Sequence, residues 1–156
     1  MTPRILPSLG AALAVALAAT GARATTSCSF TTVVGVSFGS YNMLATSPLD
    51  STGSFTFNCA GVGGTDTITI NLGHGAAPSY WPRQMVRGAV SLAYNLFVNA
   101  ARTQVWGDGT SSTYHYGPVT PPNGADVTVP IYGRVPAGQI VTAGTYGDTI
   151  VITILF

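Results

Sequence analysis

The sequence predicts an all-β fold, a β-sandwich one strand short of complete, and three observations predict it. Short runs of β-branched and aromatic residues alternate with clusters of Gly, Pro, Asn, Asp and Ser, the punctuation of a sandwich. Beyond residue 24 no stretch carries the apolar period of an amphipathic helix. The chain ends on a strand, Gly147 to Leu155, whose inward residues Ile150, Ile152, Ile154 and the following Phe156 recur at period two, while Val151 and Leu155 are apolar on the opposite face. A strand apolar on both faces needs covering on both sides and pairing along both edges. Either an earlier segment supplies that cover or another protein does.

The elements follow in order. Met1 to Ala24 has a basic start, an apolar run from Ile5 to Ala19 and the small-x-small ending Ala22-Arg23-Ala24, which is the pattern of a secretory signal peptide. The apolar run is shorter than the ~20 residues of a membrane span, so no membrane anchor is expected in the mature form. The mature domain is then residues 25–156, large enough for one core. Strands are expected near Ser29–Phe38, Ser54–Cys59, Thr67–Leu72, Leu92–Val98, Asp126–Tyr132 and Gly147–Leu155. Ala60 to Thr65 is a Gly-rich turn, Gly107-Asp108-Gly109 turns the chain after Val105-Trp106 in a short hairpin, and Pro118 to Gly124 is a connector too broken for a strand. Six strands fall short of the minimum of about seven in an immunoglobulin-like sandwich. The bare last strand agrees with that shortfall.

Composition excludes several functions. Residues 25–156 carry four arginines against five aspartates, with no Lys or Glu anywhere, so nucleic acid and anionic lipid are not expected partners. So few charges give poor colloidal protection and suit a chain packed into an assembly. Two cysteines in an exported chain most simply form one disulfide, Cys28 to Cys59. Two histidines without a CxxC pair offer no metal site, and no cofactor motif is present. Asp108, His115 and the abundant serines allow a catalytic triad on paper, but there is no Gly-x-Ser-x-Gly elbow, and no enzyme is expected.

The motifs have a familiar order. Cys28-Ser-Phe30, Val36-Ser-Phe-Gly-Ser-Tyr41, Ser51-Thr-Gly53 and Cys59 resemble the opening of the spore coat protein U domain. Leu92-Ala-Tyr-Asn-Leu-Phe97, Val105-Trp-Gly-Asp-Gly109, Val129-Pro-Ile-Tyr-Gly-Arg134 and Ala143-Gly-Thr-Tyr-Gly-Asp-Thr149 resemble its middle and end, so the likeness covers essentially the whole mature chain. The family includes secreted pilin subunits of the archaic chaperone–usher pathway and a spore-coat protein. The resemblance implies an immunoglobulin-like sandwich lacking its final strand. A periplasmic pilus chaperone would lend that strand, an outer-membrane usher would pass the subunit to the cell surface, and a neighbouring pilin subunit would replace the chaperone strand. The strand-accepting edge is placed on Ile150, Ile152, Ile154 and Phe156.

One departure from the family pattern gives a further expectation. After cleavage at Ala24 only Thr25, Thr26 and Ser27 precede Cys28, and three residues reach about 10 Å, too short to complete a neighbour's sheet. The subunit is expected to accept a strand without giving one, as at a pilus tip, although family tip adhesins often carry a second domain. The alternatives are a secreted spore or cyst coat protein that completes its own sheet, and a carbohydrate-binding adhesive module. The module would use exposed rings in turn-rich segments, Tyr80 and Trp81 or Tyr114 and Tyr116. Trp106, at a strand end, reads as core, Tyr94, Tyr132 and Tyr146 as core or interface, and Arg134 is paired with Asp148 unless Asp148 caps a turn.

Overall fold

The computed structural model describes residues 25–156. The expected signal peptide, residues 1–24, lies outside the described residues. Eight strands are present among the described residues: β1 (Ser27–Val34), β2 (Leu49–Ala60), β3 (Ile68–Leu72), β4 (Arg83–Arg87), β5 (Val90–Phe97), β6 (Tyr116–Val119), β7 (Asp126–Val135) and β8 (Ile152–Leu155). They form two sheets, a five-stranded one in the order β1-β2-β7-β5-β4 and a three-stranded one in the order β6-β3-β8. Every pairing within them is antiparallel.

Alternation decides which faces meet. On β2 Phe55, Phe57 and Cys59 are buried while Ser54, Thr56 and Asn58 turn outward, and Val129, Ile131 and Val135 do the same on β7. Ile68, Ile70 and Leu72 of β3 close the core from the second sheet. Trp106 is fully buried between the layers, its indole N–H donating to the Ile70 carbonyl at 2.9 Å and its backbone N–H to the Leu96 carbonyl at 2.8 Å. The expectation that Trp106 is core therefore holds. Cys28 and Cys59 form the disulfide and lock β1 onto β2 at their first rungs.

Two strands were not anticipated. β4 reads Arg-Gln-Met-Val-Arg, weak in strand formers, and forms because Gly88, at φ 58°, and Ala89 turn it back onto β5. β6 contains Pro118, which is tolerated because β6 is an edge strand paired only with β3. The expected shortfall in strand number is therefore absent among the described residues, and β8 is an edge strand, hydrogen-bonded to β3 alone. The segment after Trp106 is not a hairpin, because Trp106 and Tyr114 meet as an isolated parallel bridge.

Candidate functional site

The first strand changes layers, and two glycines allow it. β1 leaves its ladder with β2 at Val34↔Ser54, and the chain then crosses the inner face of the large sheet. A Cβ at Gly53 would sit 2.5 Å from the Val34 carbonyl, and one at Gly133 would sit 2.6 Å from Val36 Cγ1 and 2.7 Å from a Phe38 ring carbon. Only glycine leaves room for this crossing, on β2 and again on β7. Phe38 then packs edge-on against Tyr94 of β5, ring centroids 5.9 Å apart. Residues 35–38 thus lie in the layer of the small sheet, on the side where β8 has no partner.

Between this segment and the approach to β8 lies a trough. Its floor is core: Leu72 of β3, Tyr94 and Leu96 of β5 and Ile131 of β7. Val33 to Phe38 form one wall, and Tyr146 to Ile152 the other, around a volume of about 280 Å³. Past Val36 and Phe38 the trough widens into a hollow of about 590 Å³ between residues 36–43 and 141–146.

β8 and the residues before it meet this trough through Ile150 and Ile152. Ile152 and Ile154 pair in register with Leu72 and Ile70 of β3, yet they and Ile150 are only half-buried. Val151 and Leu155 point outward, 66% and 49% exposed. Phe156 lies past the end of the strand and is 68% exposed. The four residues expected at an open edge therefore separate: Ile150 and Ile152 line the trough, Ile154 follows farther along β8, and Phe156 lies past the strand's end. The other wall, Val33 to Phe38, was missed by sequence reasoning. The isolated Gly53 and Gly133 inside strands were its available signal, since such glycines mark close backbone approach.

A polar clamp fixes the mouth of the trough. Gly147 exchanges two backbone hydrogen bonds with Val86 of β4, at 2.8 and 3.2 Å. The Asp148 carboxylate accepts from the Tyr94 hydroxyl at 2.6 Å and from the Ala76 amide at 2.8 Å. Burial and the Asp148 carboxylate together push the Tyr94 phenol well above its ordinary pKa, so it stays a donor. The expected strand from Gly147 shortens to Ile152–Leu155 because Asp148 turns toward Ala76 instead of continuing a ladder. Asp148 does not pair with Arg134, whose guanidinium grips Asp50 at 2.7 and 2.8 Å across the β2–β7 ladder.

Arg83 lies beneath the clamp and is fully buried. It donates to the carbonyls of Gly73 at 2.8 Å and Trp106 at 2.5 Å and to Asn95 Oδ1 at 2.8 Å. Burial lowers its pKa, the nearby Tyr94, Tyr80 and Asp148 working the other way, but a guanidinium remains charged. It ties β4, β5 and the end of β3 into one frame.

Asp108 accepts from the amide of Thr110 at 2.9 Å and from its hydroxyl at 2.6 Å, and among the described residues no hydrogen bond joins it to His115. Of the aromatic candidates, Trp81 and Tyr114 are 52% and 48% exposed, Tyr80 is half-buried under the guanidinium of Arg83, and Tyr116 packs on Trp106. Tyr94 is core, and Tyr132 and Tyr146 are half-buried.

The family model of the Spore Coat Protein U domain matches residues 13–153, nearly the whole chain. The chain belongs to the spore coat protein U family. Within that family it is similar to Protein U of Myxococcus xanthus, 34% identical over 134 residues, taking in 78% of this chain and 71% of the relative. Among solved structures it resembles a chain of the CsuC–CsuE chaperone–tip adhesion subunit pre-assembly complex from archaic chaperone–usher Csu pili of Acinetobacter baumannii. That match has 20% identity and a TM-score of 0.50, and it covers 85% of this chain and 40% of the other. The likeness is one of fold.

Proposed function

We propose that this spore coat protein U domain is an exported structural subunit of a surface pilus or coat, assembled through a chaperone–usher pathway. Its working part is the trough, which accepts an extended strand between Val33–Phe38 and Ile150–Ile154. The single observation that carries this reading is a core floor, Leu72, Leu96 and Ile131, reachable between two walls that are each short of a strand partner. A strand laid there would pair with the free edge of β8 and drop alternate apolar side chains onto that floor. The partner is first a periplasmic pilus chaperone and then a neighbouring pilin subunit, with an outer-membrane usher exchanging the two and carrying the subunit to the cell surface.

The position in a fibre rests on the other end of the domain. Ser27 is laddered to Ala60, and the Thr26 hydroxyl docks on Asp66 and on the Gly61 carbonyl. From Thr26 onward the chain is committed to its own sheet, so any donated segment lies ahead of it. A mature N-terminus at Thr25, read by mass spectrometry, places the subunit at a fibre end. A start well upstream places it within the shaft.

The test is export with and without the cognate chaperone, followed by affinity purification. The expected outcome is a one-to-one complex with chaperone and degradation or aggregation without it. A stable free monomer would instead favour a self-complete coat protein.

A further inference from the structure

Away from the trough, two loops that are distant in sequence meet in one built surface. The Trp81 indole N–H donates to the Ser111 carbonyl at 2.9 Å, so the ring is fixed in place while 52% of the residue stays exposed. The presenting loop is cross-braced by hydrogen bonds. Thr113 is buried, its hydroxyl donates to the Thr110 carbonyl at 2.6 Å, and it accepts from the Gly109 amide at 3.2 Å. Ser111 and Ser112 both hold left-handed backbone, at φ 52° and 60°, a conformation costly for residues with a side chain. Strain of this kind persists where surroundings enforce it and concentrates at binding sites. Here it turns the Ser111 carbonyl toward Trp81. Asp108, Thr110, Ser111 and Ser112 are all exposed in the same turn.

The chemistry of this surface selects its ligand. An exposed indole tied to a turn that also exposes a carboxylate and several hydroxyls suits a molecule with an apolar C–H face and a rim of hydroxyl groups. A purely apolar ligand would strip water from Asp108 and both serines without replacing their hydrogen bonds. An anionic ligand would be repelled by the Asp108 carboxylate, and of the arginines Arg83 is buried while Arg102 and Arg134 are engaged by Asp50. We propose that Trp81 and the Asp108–Ser112 turn form a binding site for a neutral saccharide. One sugar ring stacks on the indole, and its hydroxyls bond to Asp108 and the serines. None of these residues lines the trough, so the site is separate from strand acceptance.

The test is calorimetric titration of the full exported chain, purified with whatever partner holds it, against maltohexaose, cellohexaose, chitohexaose and mannohexaose. Saturable binding of at least one is expected, weakened roughly tenfold or more by Trp81→Ala and by Asp108→Asn, and kept within a few-fold by Trp81→Tyr. Near-ultraviolet circular dichroism dominated by the buried Trp106 checks that each variant is folded. Absence of saturable binding to all four sugars overturns the proposal, as does unchanged affinity in Trp81→Ala. Trp81-dependent adsorption to polystyrene without sugar binding overturns it too.

Discussion

β3 and β8 carry nearly the same sequence and lie side by side, yet one is buried and the other is not. β3 reads Ile-Thr-Ile-Asn-Leu and β8 reads Ile-Thr-Ile-Leu. Ile68, Ile70 and Leu72 are fully buried, whereas Ile152 and Ile154, paired directly with Leu72 and Ile70, are only partly buried. The side chains do not differ, but the neighbours do. β3 has β6 on one edge and β8 on the other, and β8 has β3 alone. The uncovered part of β8 is therefore a measure of what a missing strand would contribute.

The largest effect separates these two strands by mutation. Ile70→Ala should destabilise the domain by up to about 5 kcal/mol, because a fully buried side chain leaves a cavity. Ile152→Ala should cost less, about 1–2 kcal/mol in the uncomplemented domain, since part of its surface already meets water. In a strand-complemented complex the two penalties should converge. Denaturant unfolding of both variants, free and complexed, makes the comparison, and a full penalty for Ile152→Ala in the free domain would mean that β8 is already covered.

Removing the disulfide tests the closed side. Cys28 and Cys59 are 31 residues apart, and replacing both with Ser should cost roughly 3–4 kcal/mol by freeing the unfolded chain. Because the bridge locks β1 to β2 rather than to β8, affinity for a complementing strand should change far less than the thermal midpoint. A parallel loss of both would link the disulfide to the trough.

Less of the site than of the fold could be read from the residues. Periodicity revealed the strands whose alternation is strong, such as Phe55–Cys59 and Ile68–Leu72, and composition revealed the all-β class. β4 and β6 were hidden because they are edge strands, whose one-sided pairing demands little of their sequence. The C-terminal half of the trough was legible because Ile150, Ile152 and Ile154 follow a strict period of two. The wall at Val33–Phe38 was not, because a strand that changes layers keeps the same apolar spelling while its partners change. What revealed it was space, at Gly53 and Gly133, which a linear pattern does not display. The pairing of Arg134 with Asp50 was missed for a similar reason, since it depends on the β2–β7 register.

Two smaller effects sharpen the contrast. Tyr94→Phe leaves Asp148 without a 2.6 Å donor at the mouth of the trough and should cost about 1–2 kcal/mol. Amide exchange should accelerate near Gly147 and Asp148 and remain unchanged along β3. Acceleration in both strands would show that the clamp supports the core as a whole. The smallest effect belongs to Asp50, whose carboxyl Arg134 holds below its usual range by hydrogen bonding. With the folded pKa depressed, its stabilisation is complete above the ordinary carboxylate value and fades as pH falls through the lowered one. The pair is partly exposed, so solvent screening limits the contribution to under about 1 kcal/mol. Thermal midpoints between pH 2 and 6, compared with Asp50→Asn, should show a shallower acid slope in the variant, and identical slopes would remove the pair from the account.

The most direct measurement is residue-resolved hydrogen exchange along β8, free and in complex with a periplasmic chaperone. The Gly73 amide donates to the Val151 carbonyl at 2.9 Å, and by antiparallel alternation the amides of Thr153 and Leu155 face β3 while those of Ile152 and Ile154 face the open edge. The account predicts protection of Thr153 and Leu155 in both states, and protection of Ile152 and Ile154 only in the complex, slowed there by about two orders of magnitude or more. Protection of Ile152 and Ile154 in the free domain, or their continued rapid exchange in the complex, would contradict it.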